Sequence, residues 1–206
     1  YLENEEDVGT EKLDGQNDCL TRPHVFARSH AVPTEHPWDR PIWDIHERIK
    51  HKIGEDEFIF GENLYAIHSL KYKALESHYY IFNVRVKDEW LSWDDVCEFA
   101  YILDLPTVPI LFRGKYSDIK TKVLEEIKKP SKLDAYDIHT NKPMMEGCVV
   151  RNVNSLTREE FDALPARDLQ KMVNDPVLIK FIFEDRRYSM EEIIAVIKRI
   201  KTWGRR

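Results

Sequence analysis

Short β-rich runs and short amphipathic helical stretches follow one another along this chain without strict alternation, and that order most restricts its fold. Val25–Arg28, Phe58–Phe60, Tyr79–Val86, Val108–Phe112 and Cys148–Asn152 are rich in β-branched and aromatic residues and read as strands. Ile45, Ile49 and Ile53 line one face of a helix over Asp44–Ile53 that reaches back to Ile42. Val96, Phe99, Ala100 and Leu103 stripe a second, Asp94–Leu103, which Ser92 and Asp95 open in cap-like fashion. Ile119, Val123 and Ile127 mark a third that stops at Pro130. Over residues 189–204, Ser189 and Glu192 form a capping box ahead of Ile193, Val196, Ile197, Ile200 and Trp203. Residues 130–145 read as a loop. A strict strand–helix alternation would build a parallel sheet; this order predicts an α+β fold.

Composition bounds the class. With 206 residues, 42% apolar and 33% charged, the chain can bury a sizeable core as one domain over 1–206, the C-terminal helix included. Disordered and low-complexity classes are excluded. No apolar window approaches the ~18 residues that a membrane helix needs, and no basic-then-apolar signal opens the chain. Three cysteines, Cys19, Cys97 and Cys148, have no Cys-x-x-Cys spacing, which suits reduced thiols in an intracellular, cytoplasmic compartment. Residues 1–18 carry seven acids and one lysine, which accounts for the whole formal charge of −6. Residues 113–132 and 185–206 each hold seven Lys/Arg against three acids. Such stretches either track a phosphate backbone or form a solvated helix face.

Lys12 lies in an acidic, glycine-containing turn, Glu11-Lys12-Leu13-Asp14-Gly15-Gln16-Asn17. A Lys-x-Asp-Gly string alone is weak, since most are surface turns. Downstream come Phe26-Ala27-Arg28-Ser29-His30, Phe60-Gly61-Glu62-Asn63-Leu64-Tyr65, Tyr80-Ile81-Phe82-Asn83 and Glu146-Gly147-Cys148-Val149-Val150-Arg151. A lysine, an arginine, two glutamates and an aromatic ring beside β-rich segments are what nucleotidyl transfer requires. The amine attacks a phosphoryl group, carboxylates hold a divalent metal, cations neutralise developing charge and the ring stacks on a base. The eight histidines show no metal-ligand spacing with the cysteines.

These five segments, in this order, resemble motifs I, Ia, the Gly-Glu segment before III, III and IV of ATP-dependent RNA ligases, members of the covalent nucleotidyltransferase superfamily that also holds DNA ligases and capping enzymes. The resemblance covers roughly residues 8–152, and the run Gly61-Glu62-Asn63-Leu64-Tyr65-Ala66-Ile67-His68-Ser69-Leu70-Lys71-Tyr72 favours the RNA ligases. It implies an ATP-grasp-like nucleotidyltransferase domain of antiparallel sheets flanked by helices. It further implies that Lys12 attacks the α-phosphate of ATP and carries AMP, with Mg²⁺ or Mn²⁺ as cofactor. Glu11 would read the adenine amino group, and Asp14 and Asn17 would organise the metal, its waters and the leaving pyrophosphate. Arg28 would contact the ribose or the incoming 5′-phosphate strand, Glu62 the ribose hydroxyls, and Glu146 the metal. Phe82 or Tyr80 would stack on adenine. The α-phosphate lysine of motif V is Lys171 or Lys180, with the Lys171 context the nearer match.

The chain departs from the family in three places. Asn83 stands where the family carries an aspartate, and Asn174 stands where an arginine would follow Lys171 and Val173. Only eleven residues precede Lys12, so the family's N-terminal strands are expected to be cut short. The implied partner is RNA with 5′-phosphate and 3′-hydroxyl ends, joined by a monomeric enzyme without a membrane association. The competing readings are a non-catalytic nucleotide- or RNA-binding module, a DNA-joining ligase, and a metal-dependent nuclease in which Lys12 is incidental.

Overall fold

The computed structural model of the chain describes residues 6–27, 32–157 and 159. Its β1 (Glu6–Lys12) carries three acids yet forms the centre of a sheet, with Asp7 to Glu11 buried. It pairs on one side with β10 (Gly147–Asn152) and on the other with β8 (Ile110–Lys115), both antiparallel. Gly9 makes that packing possible, because a Cβ there would collide with the Phe112 ring. Composition hides this strand, since its acids look like surface residues until two neighbours cover them.

A second sheet has six strands in the order β11-β7-β6-β4-β2-β3. These are β2 (Gln16–Leu20), β3 (Val25–Ala27), β4 (Glu57–Asn63), β6 (Tyr79–Val86), β7 (Glu89–Trp90) and β11 (Leu156–Thr157). A third sheet pairs β5 (Leu70–Tyr72) with β9 (Ala135–Asp137). Every pairing between named strands is antiparallel. The α+β expectation therefore holds, and β6 has the bounds read from the sequence. The loop reading of 130–145 is corrected at Ala135–Asp137, which pairs with β5. That strand is too short to leave an alternating pattern.

Three helices follow from their apolar stripes. Helix α1 (Arg40–Ile49) starts two residues before Ile42, where the expected stripe begins, because Pro41 fits the first turn, where no N–H bond is lost. It ends at Ile49, and Ile53 lies beyond it in extended backbone. A ten-residue helix is marginal alone. Burial of Ile42, Ile45 and Ile49, at about 1.5–3 kcal/mol each, holds it to the core. Helix α2 (Trp93–Leu103) is capped by Ser92, whose hydroxyl accepts the Asp95 N–H at 3.1 Å, and packs on β6. Helix α3 (Ile119–Glu126) follows β8. The 189–204 helix lies outside the described residues. Among the described residues, no helix is long and apolar enough to cross a membrane.

Among the ties between the main sheets, two shape the site. The chain crosses from β1 to β2 through Leu13–Gly15, with Leu13 buried. Arg151 of β10 reaches back into the second sheet, donating to the Phe82 carbonyl at 3.1 Å, to Asn83 Oδ1 at 2.9 Å and to the Leu91 carbonyl at 2.8 Å.

Candidate active site

The crossing from β1 to β2 places several polar side chains in one region. Lys12 is the last residue of β1 and pairs with Gly147, so its side chain stands beside Glu146. Its Nζ donates to Glu146 Oε1 in a half-buried ion pair. The other oxygen, Glu146 Oε2, is buried with no hydrogen-bond partner. A buried carboxylate oxygen without a donor is costly unless a cation or ligand takes it.

The turn after Lys12 is held from several directions. Gly15 N–H donates to Glu62 Oε1 at 3.0 Å, and Asn17 lies opposite Glu62 in the β2–β4 register. A side chain at position 15 would collide with the Asn63 carbonyl, so the close approach of this turn to β4 requires glycine. Asp14 Oδ2 accepts Ser69 N–H at 2.7 Å, the Ser69 hydroxyl at 2.6 Å and Leu70 N–H at 2.8 Å. Asp14 N–H in turn donates to the Tyr72 hydroxyl at 2.7 Å.

Electrostatics show how close these groups lie. Burial pushes the Glu62 carboxyl up to about 8 against the pull of Gly15 N–H and Lys12, and Glu146 and Asp18 add to the rise. Burial also raises the Tyr72 phenol well above its ordinary value; Asp14, Glu11 and Glu146 push the same way. At Asp14, burial raises and the Ser69 and Leu70 hydrogen bonds lower, and the hydrogen bonds win. Glu11 is 1% exposed, and burial raises its carboxyl against the Ser131 hydroxyl and Lys132. Its Oε2 accepts Lys132 N–H at 2.8 Å, while Oε1 is buried and completes no hydrogen bond.

The two aromatic candidates differ. Tyr80 is 2% exposed, belongs to the core and accepts Glu76 N–H on its hydroxyl at 2.9 Å. Phe82 is only partly buried, and sits where the β4–β6 register skips between Phe60 and Gly61. Phe82 thus keeps a ring surface that Tyr80 lacks. Asn83, the departure from the family's aspartate, serves the packing of the two sheets, since its Oδ1 accepts Val84 N–H and Arg151 Nη1.

Lys12, Glu11, Asp14, Glu62 and Glu146 therefore come together, with Asn17 beside Glu62. Arg28, Lys171 and Lys180 lie outside the described residues. The basic stretch 113–132 is partly consumed locally. Arg113 pairs with Asp94, Lys122 donates to the Arg113 carbonyl, and Lys129 pairs with Glu126. Cys19 and Cys97 are free thiols. Among the described residues, no three His, Cys, Asp or Glu side chains form a ready cation cage. Ser69 and Tyr72 fall at the end of the RNA-ligase-like run, but nothing in that run, or in the Ser131–Lys132 loop, marks their contacts with the turn around Lys12. Hydroxyls and backbone amides that reach across more than fifty residues leave no local pattern.

A sequence profile of the RNA ligase family matches residues 5–173, and the chain belongs to that family. No curated protein is similar enough to match. Among solved structures, Naegleria gruberi RNA ligase with PPi is 16% identical, with a TM-score of 0.49 over 84% of this chain and 53% of that one. An archaeal ATP-dependent RNA ligase is 15% identical, with a TM-score of 0.48 over 97% of this chain and 57% of that one. The chain thus spans about half the length of the structures it matches.

Proposed function

We propose that this chain joins RNA ends at the expense of ATP through a lysyl-AMP intermediate. The observation that carries the reading is the paired Lys12 and Glu146 beside the Leu13–Gly15 crossing, with a buried Glu146 oxygen left without a donor. Family membership supplies the reaction class.

Opening of the Lys12–Glu146 pair, with loss of one ammonium proton to solvent, frees the amine for attack. Lys12 Nζ, as the free amine, bonds to the α-phosphorus of ATP; the bond from that phosphorus to the bridging oxygen breaks and pyrophosphate leaves. The amine's surplus proton passes to solvent. In the second step an oxygen of the RNA 5′-phosphate bonds to the AMP phosphorus, the P–N bond breaks and Lys12 regains its proton. In the third, the RNA 3′-hydroxyl attacks the activated 5′-phosphorus, AMP leaves and the phosphodiester is complete.

Glu146 Oε2 is the atom that best fits a divalent cation, and we assign Asp14 Oδ1 beside it, since Asp14 Oδ2 is taken by three donors. A Mg²⁺ or Mn²⁺ ion there neutralises charge building up on the phosphoryl oxygens. Magnesium is commonly held by one or two carboxylates together with substrate phosphates, so a sparse protein ligand set suits it. Glu11 Oε1 has the character that an adenine amino group needs, a buried acceptor without a donor. Phe82 supplies the stacking ring and Glu62 the acceptors for the ribose hydroxyls. Asn17 is assigned to the pyrophosphate, Arg28 to the ribose or 5′-phosphate strand, and Lys171 to the α-phosphate.

The test is joining of two RNA strands, one with a 5′-phosphate and one with a 3′-hydroxyl, in ATP and Mg²⁺. Joined RNA is expected from the wild-type chain and none from Lys12→Ala. A chain that joined only the matching DNA strands would move the reading to DNA ligation.

A further inference from the structure

The third sheet touches both neighbours of the nucleophile. On one side of Lys12, Glu11 is held by Lys132 N–H from the segment leading into β9. On the other side, Asp14 is held by Ser69 and Leu70 through its carboxylate, and by Tyr72 through its backbone N–H. Those two holding segments are themselves joined. Lys73 N–H donates to the Asp134 carbonyl at 3.3 Å, Ala74 N–H to the Leu133 carbonyl at 3.1 Å, and β5 pairs with β9.

The hold on half-buried Asp14 is more than a carboxylate still reached by water needs. Water would satisfy a surface aspartate at little cost, yet here three donors converge on one oxygen while the residue's own N–H is fixed by a phenol. The two contacts fix both the side chain and the backbone of Asp14, two residues from the attacking amine. Catalysis is sensitive to such placement: a displacement of about 1 Å at the reacting atoms can cost ~100-fold in rate.

Taking the ligase reading of Lys12 as given, we infer that Ser69 and Tyr72 are positioning residues for adenylyl transfer. They hold the Leu13–Gly15 turn so that Lys12 meets the α-phosphate in line with the leaving pyrophosphate. Neither touches the reacting atoms; both act through Asp14. Tyr72 acts through its hydroxyl alone. Its ring is packed against the core and would stay there in phenylalanine. Lys12 attacks in the first step and only releases AMP in the second, so sealing of already adenylated RNA makes no demand on its aim.

The experiment compares wild type, Tyr72→Phe, Ser69→Ala, the double variant and Ser69→Thr. Two rates are read: AMP transfer to the protein at saturating ATP, and sealing of chemically pre-adenylated RNA. Each single loss of a hydroxyl should slow adenylation by about 10-fold and the double variant by about 100-fold, with the KM for ATP within about twofold. Sealing should fall by no more than about threefold in all of them, and Ser69→Thr should restore most of the adenylation rate. Variants that adenylate as fast as wild type overturn the inference. Equal loss of both rates also overturns it, because it marks a role in folding alone. Failure of the wild-type chain to take up AMP overturns the ligase reading instead.

Discussion

Glu146 faces two demands from two atoms. Its Oε1 pairs with Lys12, while its Oε2 is buried without a donor. If that second oxygen serves a cation acting on transition-state charge, Glu146→Gln should cut the adenylation rate by about 100-fold or more while ATP still binds. Single-turnover transfer of labelled AMP over a range of Mg²⁺ concentrations would show it; a near-normal rate would remove Glu146 from the metal. Phe82 makes a different prediction. A stacking ring contributes about 1–3 kcal/mol by alanine substitution, so Phe82→Ala should weaken ATP binding by roughly 5- to 150-fold. Tyr80→Phe, which only removes a hydroxyl bound to Glu76 N–H, should leave ATP binding unchanged. Equilibrium titration with ATP reads both, and a Phe82→Ala variant that bound ATP normally would take the stacking role from Phe82. Lys12, Glu62 and Glu146 are legible in the sequence because each sits in a short string with fixed neighbours. Ser69 and Tyr72 are not, because what matters in them is one hydroxyl reaching a distant turn.

At the level of elements, β2 and β4 meet α1 through a buried polar network. Gln16 Nε2 donates to Asp18 Oδ1 and Asp39 Oδ1, both at 2.7 Å. Asn63 Nδ2 donates to Asp18 Oδ2 at 3.0 Å and Asp39 Oδ1 at 3.2 Å, and the Thr34 hydroxyl donates to Asp39. Both aspartates are fully buried, and the donors are neutral. Burial pushes the Asp18 carboxyl up to about 7; Asp39 adds to the rise, and Gln16 and Asn63 pull it down. In the unfolded chain it would titrate near ~3.9. The folded state therefore binds the extra proton more tightly, and stability falls as pH rises from about 4 to about 7, then levels off. This one group accounts for about 4 kcal/mol at most. Urea unfolding at several pH values should show a flatter decline in Asp18→Asn than in wild type, even though the amide loses a hydrogen bond at every pH. Equal slopes would mean that Asp18 is ionised throughout. The same network explains why β2 leaves no trace in the sequence pattern, since a strand of Gln16, Asn17 and Asp18 shows no apolar alternation. By contrast, β6 is legible with its true bounds because it is apolar over most of its length. Helix α1 begins two residues ahead of the start of its apolar stripe at Ile42, because proline is a first-turn residue as well as a helix breaker.

For the molecule as a whole, the proposed site depends on two sheets keeping their relation, and the proposed nucleotide chemistry lies where β1 crosses to β2. RNA would then have to approach along a surface outside that crossing. Lys128 and Lys132 are exposed, and Lys132 also reaches Glu11 through its backbone. Reversing the charge of Lys128 should weaken joining of RNA and reduce its salt dependence, because phosphate contacts release counterions, while AMP uptake from ATP stays near normal. Joining with an unchanged salt slope would reduce this stretch to a solvated face.

The first two steps of the proposed chemistry both pass through AMP carried on Lys12. Intact-protein and peptide mass spectrometry after incubation with ATP and Mg²⁺ or Mn²⁺ reads that adduct without any RNA present. One AMP per chain is expected, localised to Lys12, labile in acid, stable in alkali and absent from Lys12→Ala. An adduct on a different lysine, or none with either metal, would refute lysyl-AMP chemistry at this site.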